Sequence, residues 1–308
     1  MMAAVVLSVI AAAARAADTG DTGVLVAAVS EERIRGHVRV LAAAPRDGTA
    51  ARRAAAAYVE RELASYGHVV TRVSAAGGET LVVRLGSTAD ARPVFLVGAH
   101  YDSVPGAPGA DDNASGVAAL LEIARLLAGR RPAAPIVLAA FDLEEAGFLG
   151  STALAERLAR EPGGVGTAYS LEMIGYTCAR CQTPIDDVPG CLDVDTPVAE
   201  AGDFVALVVN DASLPLAREF VAAARRHVPD LRVAWGSVAG TGGCFPHARR
   251  SDHAPFWDRG VRAMMITDTA DFRNPHYHRA SDVPATLDYP FARRVTQAVL
   301  AAVLTATQ

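Results

Sequence analysis

Residues 135–147 read PIVLAAFDLEEAG, an unbroken apolar run that ends in two adjacent glutamates. A run such as Pro135–Phe141, with no polar alternation, is the pattern of a strand buried on both faces, and such strands belong to sheets covered by helices on each side. Ligand sites in these sheets lie at the carboxyl ends of the strands. Glu144 and Glu145 stand at such an end. As neighbours on an extended segment they are expected to point in opposite directions. One glutamate there is readily a solvated strand end; two invite a division of labour.

The same pattern extends outward along the chain. Strands are expected at HVVTRVS (68–74), ETLVVRL (79–85), 93–99, 168–173, 204–209, 232–235 and 261–267, and helices over 51–66, 113–127, 148–160, 214–227 and 289–305. The alternation predicts an α/β fold with a mixed, mostly parallel central sheet and helices on both faces, a three-layer sandwich. No repeat or low-complexity linker divides the 308 residues, so residues 30–308 are expected to form a single catalytic domain. Residues 1–16 carry an apolar core and a small-x-small site at Ala14-Arg15-Ala16, the pattern of a cleaved signal peptide, although the usual basic start is missing. The competing reading is an apolar N-terminal helix packed on the domain. No apolar run is long enough to span a membrane, and an exported protein, periplasmic or extracellular, is expected.

Composition removes several chemistries. The chain has no lysine, which excludes Schiff-base catalysis, pyridoxal phosphate anchoring and the phosphate-binding P-loop. Net charge is −5 with scattered arginines and no basic run, which argues against a nucleic-acid surface. Cys178, Cys181, Cys191 and Cys244 include one CxxC pair, but a zinc knuckle needs a second; disulfides stapling a long loop suit an oxidising compartment better. Their pairing is not readable from spacing.

Successive strand ends each present an imidazole or carboxylate: His100 and Asp102, then Asp111 and Asp112 in the following loop, Glu144 and Glu145, Glu172, and later His276, Tyr277, His278 and Asp282. Converging like charges need a cation, and nitrogen mixed with carboxylate oxygen suits Zn²⁺ best, with Mn²⁺ or Co²⁺ as alternatives. Two histidines and three carboxylates can hold two ions if one carboxylate bridges them. Glu145 would then be a ligand and Glu144 the general base. Each residue alone has a plainer reading. Asp111 and Asp112 can cap the helix beginning near Ala114, His276 or His278 can be a loop histidine, and Ser251-Asp252-His253 reads as a helix cap in preference to ligands. Glu172 is harder to dismiss, since buried glutamates are rare unless paired.

Taken together, GAHYDSVPGAPGADDNASG (98–116), FDLEEAGFLGS (141–151), LEMIGY (171–176), RSDHAPFWDRG (250–260) and NPHYHRASD (274–282) resemble the secreted co-catalytic di-zinc aminopeptidases. These belong to the zinc peptidases that include glutamate carboxypeptidase-like enzymes, and glutaminyl cyclases are related by fold. The resemblance runs from about residue 90 to 290. It implies His100 and Glu172 on one zinc, Glu145 and His278 on the other, and Asp112 bridging, with a cis peptide bond between Asp112 and Asn113. It also implies Glu144 as general base, Asp102 as partner of His100, and Tyr277 as a hydrogen-bond donor to the oxyanion. Many secreted members have aspartate where this chain has Glu172. The implied activity is hydrolysis of N-terminal residues from peptides with a free N-terminus; a monomer is expected, although the sequence does not settle the oligomeric state. The alternatives are a glutaminyl cyclase or a carboxypeptidase or dipeptidase on the same scaffold. The side-chain pocket is expected near Cys244, Phe245, Trp257 and Phe272.

Overall fold

The computed structural model describes residues 21–183, 190–194 and 201–308. The expected leader, residues 1–16, lies outside them. The chain runs through helices α1 (Glu31–Leu41) and α2 (Thr49–Ser65), strands β1 (Val70–Ala75), β2 (Gly78–Leu85) and β3 (Val94–His100), helix α3 (Gly116–Leu127), strand β4 (Ile136–Phe141), helix α4 (Leu149–Leu158) and strand β5 (Val165–Glu172). Strands β6 (Leu192–Val194) and β7 (Phe204–Asn210), helix α5 (Leu214–His227), strand β8 (Arg232–Val238), the short helix α6 (Ala254–Trp257), strand β9 (Arg262–Thr267) and helix α7 (Tyr289–Ala306) follow. Each element expected from sequence forms to within three residues at either end.

The strands make one nine-stranded sheet in the order β1-β2-β4-β3-β5-β9-β7-β8-β6. The central strands β4, β3, β5 and β9 are parallel, while β1, β2 and β6 pair antiparallel with their neighbours and β7 runs antiparallel to β9. Strand alternation divides the apolar side chains between two cores. Phe95, Val97 and Ala99 join Leu138 and Leu171 beneath α1, α2, α3, α5 and α7, whereas Leu96, Val137 and Phe141 face α4 and α6. Both faces are therefore covered, which is why the central strands read as unbroken apolar runs. Gly98 has to be glycine because a Cβ would collide with the Phe141 ring of the neighbouring strand.

Helix α1 and strand β6 escaped the sequence reading. In α1, Ile34, Val38 and Leu41 fall at helical spacing and are buried, and Ser30 caps the helix by accepting from Arg33 N–H. The three residues of β6 are too few for a periodic signal.

The connection from β3 to β4 goes to one side of β3, and the next strand, β5, lies on its other side. The crevice at such a reversal is where open α/β sheets bind ligands. His100 ends β3, Glu172 ends β5, and Glu144 and Glu145 follow β4.

Candidate metal centre

The segment between β3 and α3 carries Asp112 into this crevice. Asp112 and Asn113 leave helical geometry (φ −102°, ψ 89° and φ −131°, ψ 43°), and the Asp112–Asn113 peptide bond is cis. Asn113 anchors the segment to the end of β5, donating from Nδ2 to the Leu171 carbonyl at 2.7 Å and accepting at Oδ1 from Met173 N–H at 3.1 Å. Asp111 and Asp112 do not cap α3, whose first residue, Gly116, donates its N–H to Asn113 Oδ1 at 3.2 Å instead. A capping carboxylate would have to fold back on the helix, and both are held elsewhere. Asp111 accepts from Gly175 N–H (2.9 Å) and Asn274 Nδ2 (2.7 Å).

Asp112 faces two ways. Its Oδ1 lies 3.4 Å from His100 Nε2, and its Oδ2 lies 3.1 Å from His278 Nε2. Glu172 Oε2 is 3.4 Å from His100 Nε2, and Glu145 Oε2 is 3.6 Å from His278 Nε2. Glu144 Oε2 sits 3.9 Å from His100 Nε2. Donor atoms of His100, Glu144 and Glu172 come within 4.8 Å of one another, as do those of His100, Asp112 and Glu145. All five residues expected as ligands, and the expected base, therefore meet in one place. His276 does not join them; its Nδ1 pairs with Ser281 Oγ at 2.9 Å.

Glu144 and Glu145 diverge, but not through strand alternation. Strand β4 ends at Phe141, and Leu143 takes a left-handed conformation (φ 59°) that turns the chain, so both glutamates sit in a turn. Asp102 secures that turn: its two carboxylate oxygens accept from the N–H groups of Glu144 and Glu145, each at 3.2 Å. The same carboxylate lies 3.4 Å from His100 Nδ1. Met173 and His278, beside or within the site, also have positive φ (45° and 57°), the kind of backbone that concentrates at functional sites.

Electrostatics sharpen the picture. Burial pushes the Glu144 carboxyl well above the usual range, with Glu172, Asp252 and Glu145 adding to the effect and His100 opposing it. Burial and Asp112 raise Glu145 to about 8. Burial alone would raise Asp112, but its bonds to His100 and His278 hold it low. Burial alone would lower His100, yet Glu144, Glu172, Asp102 and Asp112 lift it well above its ordinary value. Among the described residues, no arginine side chain hydrogen-bonds the carboxylates of Asp112, Glu144, Glu145 or Glu172, and the buried Glu145 Oε1 has no hydrogen-bond partner. Four carboxylates and two imidazoles in that setting fit a divalent cation of the Zn²⁺ type.

Several supporting residues were not assigned roles from sequence. Asp282 takes the N–H groups of Asp111 (2.9 Å) and Asp112 (3.1 Å) on its two oxygens; its place in the NPHYHRASD run was the one available signal. Ser251 donates to Glu172 Oε2 at 2.7 Å, so the SDH triplet serves the site rather than capping α6, where His253 makes no cap bond. Fully buried Arg46, which no motif marks, donates to the carbonyls of Tyr101, Leu41 and Gly109 around the Asp112 loop. Arg250 donates to Tyr277 Oη at 2.9 Å, and the Tyr277 ring stacks on His278 at 3.7 Å. A phenol oxygen that accepts from a guanidinium turns its own proton elsewhere.

An apolar pocket of about 130 Å³ opens beside Glu172 and Tyr277, with Trp235, Phe245, Met265 and Phe272 in its walls. Phe245 and Phe272 stand where expected. Cys244 does not line it, being bonded to Cys191, and Trp257 is buried in the second core with its Nε1 donating to the Ala263 carbonyl. His247 lies at the pocket between Phe245 and Phe272. The other cysteines form a Cys178–Cys181 disulfide, and no described helix is long and apolar enough to cross a membrane.

A model of peptidase family M28 matches residues 80–303. The uncharacterized protein YfbL of Escherichia coli (strain K12) is 36% identical over 226 residues, covering 68% of this chain and 65% of that protein. The chain spans less than two thirds of the length of this and other curated relatives. The Legionella pneumophila LapA aminopeptidase superposes with a TM-score of 0.72 at 20% identity, over 94% of this chain and 75% of that one. A Bacteroides thetaiotaomicron glutaminyl cyclase bound to N-acetylhistamine gives 0.66 at 18% identity, over 90% and 98%. At these identities the two structures share the fold.

Proposed function

The chain belongs to peptidase family M28, and from that premise we propose that it is a zinc-dependent aminopeptidase acting on peptides with a free N-terminus. The observation that carries this reading is Asp112, with one oxygen toward His100 and the other toward His278. His100 and Glu172 would hold one Zn²⁺, Glu145 and His278 the second, and Asp112 both. Glu172 has one methylene more than the aspartate of many secreted relatives, and Ser251 fixes its carboxylate.

Such cations, when bound, would lower the pKa of a water toward neutrality and polarise a carbonyl. Glu144 takes the proton of the attacking water and returns it to the departing amine. Tyr277, its oxygen engaged by Arg250, donates a hydrogen bond to the carbonyl oxygen as charge develops there. The surrounding carboxylates favour an unblocked α-amino group. As for export, the two disulfides suit an oxidising compartment, and a single catalytic domain from residue 30 onward accords with one continuous sheet.

The decisive assay compares aminoacyl p-nitroanilides with N-blocked peptides, with and without chelator. Chelator-sensitive release from unblocked substrates alone is the expected result. Turnover that survives full metal removal would refute it, and ammonia release from N-terminal glutamine without a freed amino acid would assign a cyclase instead.

Asp102 is expected to act on metal affinity. In Asp102→Asn one of the two glutamate N–H groups loses its acceptor and His100 loses its anionic neighbour, so zinc binding should weaken roughly 10–100-fold. Competition against a chromophoric chelator measures this, and an unchanged affinity would remove Asp102 from the assignment.

Stability of the metal-free chain should fall as pH rises. A carboxyl whose folded pKa exceeds its unfolded value near 4 keeps a proton that the unfolded chain has lost, so stability declines through the interval between the two. Burial holds Glu145 at about 8 and Asp282 and Asp252 at about 7, and His100, held high, acts in the same direction. His253, pressed by burial to about 4, opposes this only below its unfolded value near 6.5. Between about pH 6.5 and 8.5 the melting temperature in excess chelator is therefore expected to drop, and zinc to flatten the slope because bound ligands are already deprotonated. A metal-free melting temperature that rises across that interval would contradict the assigned cluster.

A further inference from the structure

The pocket beside Glu172 has two walls that come from distant parts of the chain. One is β6, whose Leu192 and Val194 line it; the other includes Phe245, on the irregular stretch after β8. Among the described residues, strand β6 pairs with the sheet along β8, through Leu192↔Val238, Asp193↔Ser237 and Val194↔Gly236. Three residues at a sheet edge are a weak attachment on their own. Cys191 immediately precedes β6, and Cys244 immediately precedes Phe245; the disulfide between them joins the two walls, seconded by Ala239 N–H donating to the Cys191 carbonyl at 3.2 Å. Phe245 in turn packs on His247 (5.4 Å between ring centres), and His247 on Phe272 (5.2 Å), so the link reaches across the aromatic side of the pocket.

None of the residues converging on Asp112 comes from either wall. His100, Glu144, Glu145, Glu172 and His278 sit on β3, the turn after β4, β5 and the 274–282 segment. The disulfide is thus placed to act first on the shape of the pocket, while Arg250 and Ser251, further along the stretch after Cys244, carry its bonds to Tyr277 and Glu172.

We propose that the Cys191–Cys244 disulfide is a specificity-determining clamp, holding together the walls of a subsite that receives a large aliphatic or aromatic N-terminal side chain. This rests on the aminopeptidase reading above. Size supports it: a dry cavity of roughly 150 Å³ admits benzene, and the volume here is about 130 Å³ with mainly apolar walls, room for a leucine side chain or a phenyl ring. Each methylene that an apolar pocket encloses changes kcat/KM by roughly tenfold or more. A wall free to move away gives up that discrimination. Alanine, which barely enters, has little to lose.

The test is a C191S/C244S variant assayed on leucyl-, phenylalanyl- and alanyl-p-nitroanilide, with zinc content measured alongside. Expected are a roughly tenfold rise in KM for the leucyl and phenylalanyl substrates, little change in KM for the alanyl substrate, and unchanged kcat and zinc. Should the variant fail to fold, the wild-type chain is reduced with a phosphine under conditions where its melting transition persists. A C178S/C181S variant treated in parallel should respond identically, since it keeps the clamp. A leucyl-to-alanyl preference that survives loss of the Cys191–Cys244 bond, verified by thiol titration, overturns the clamp and leaves the aminopeptidase reading standing. A wild-type chain inert to every aminoacyl substrate overturns both.

Discussion

Glu144→Gln is expected to lower kcat on leucyl-p-nitroanilide by about a thousandfold, within the range that a positioned general base supplies, while leaving zinc content unchanged. The substitution keeps the volume and shape of the side chain and removes only its capacity to take a proton. Backbone placement should survive, because Asp102 holds the N–H of residue 144 rather than its side chain. Glu144 is 8% exposed, so no bulk water reaches it freely to substitute as base. Stopped assays of kcat and metal analysis of the same preparation give the result. A variant within a few-fold of wild type would show that the proton goes elsewhere, and a candidate outside the ligand set would then be Asp252, which is fully buried and close enough to influence Glu144.

Asp112→Asn should be as damaging for a different reason. An asparagine offers one carbonyl oxygen and an NH₂ group, so only one of the two faces now occupied by Oδ1 and Oδ2 would retain an acceptor. The anionic charge that both imidazoles face would vanish with it. We expect at most one zinc to be retained after dialysis, with affinity for the second reduced by more than the roughly 100-fold that loss of a supporting residue costs, and activity near the limit of detection. Metal analysis at increasing free zinc distinguishes this from a folding defect, and the melting transition provides the control. A variant that holds two ions with wild-type affinity would end the bridging assignment.

Much of this centre was legible beforehand, because ligand chemistry is restricted to few residue types and strand ends are marked by where apolar runs stop. His100, Glu144, Glu145 and Glu172 could be read from the tails of β3, β4 and β5 for that reason. His276 and His278 were equivalent on chemistry alone, and geometry separates them: one bonds Ser281, the other faces Asp112. Asp282 and Arg46 act through backbone N–H and carbonyl groups, which every residue carries, so no residue pattern announces them. The divergence of Glu144 and Glu145 was foreseen for the wrong cause, since the strand ends at Phe141 and the left-handed Leu143 turns the chain before either glutamate.

The order of apolar runs determined by itself that this chain builds a sheet covered on both faces, since burial on two sides leaves no room for polar alternation. The residue types at the run ends determined that the site would be acidic and histidine-bearing. Only the tertiary structure decided which oxygen meets which imidazole, that Cys191 pairs with Cys244, and that Phe245 rather than Trp257 faces the pocket. Those facts depend on distances between segments far apart in the chain, set by how the two cores pack, and local propensity carries no record of them.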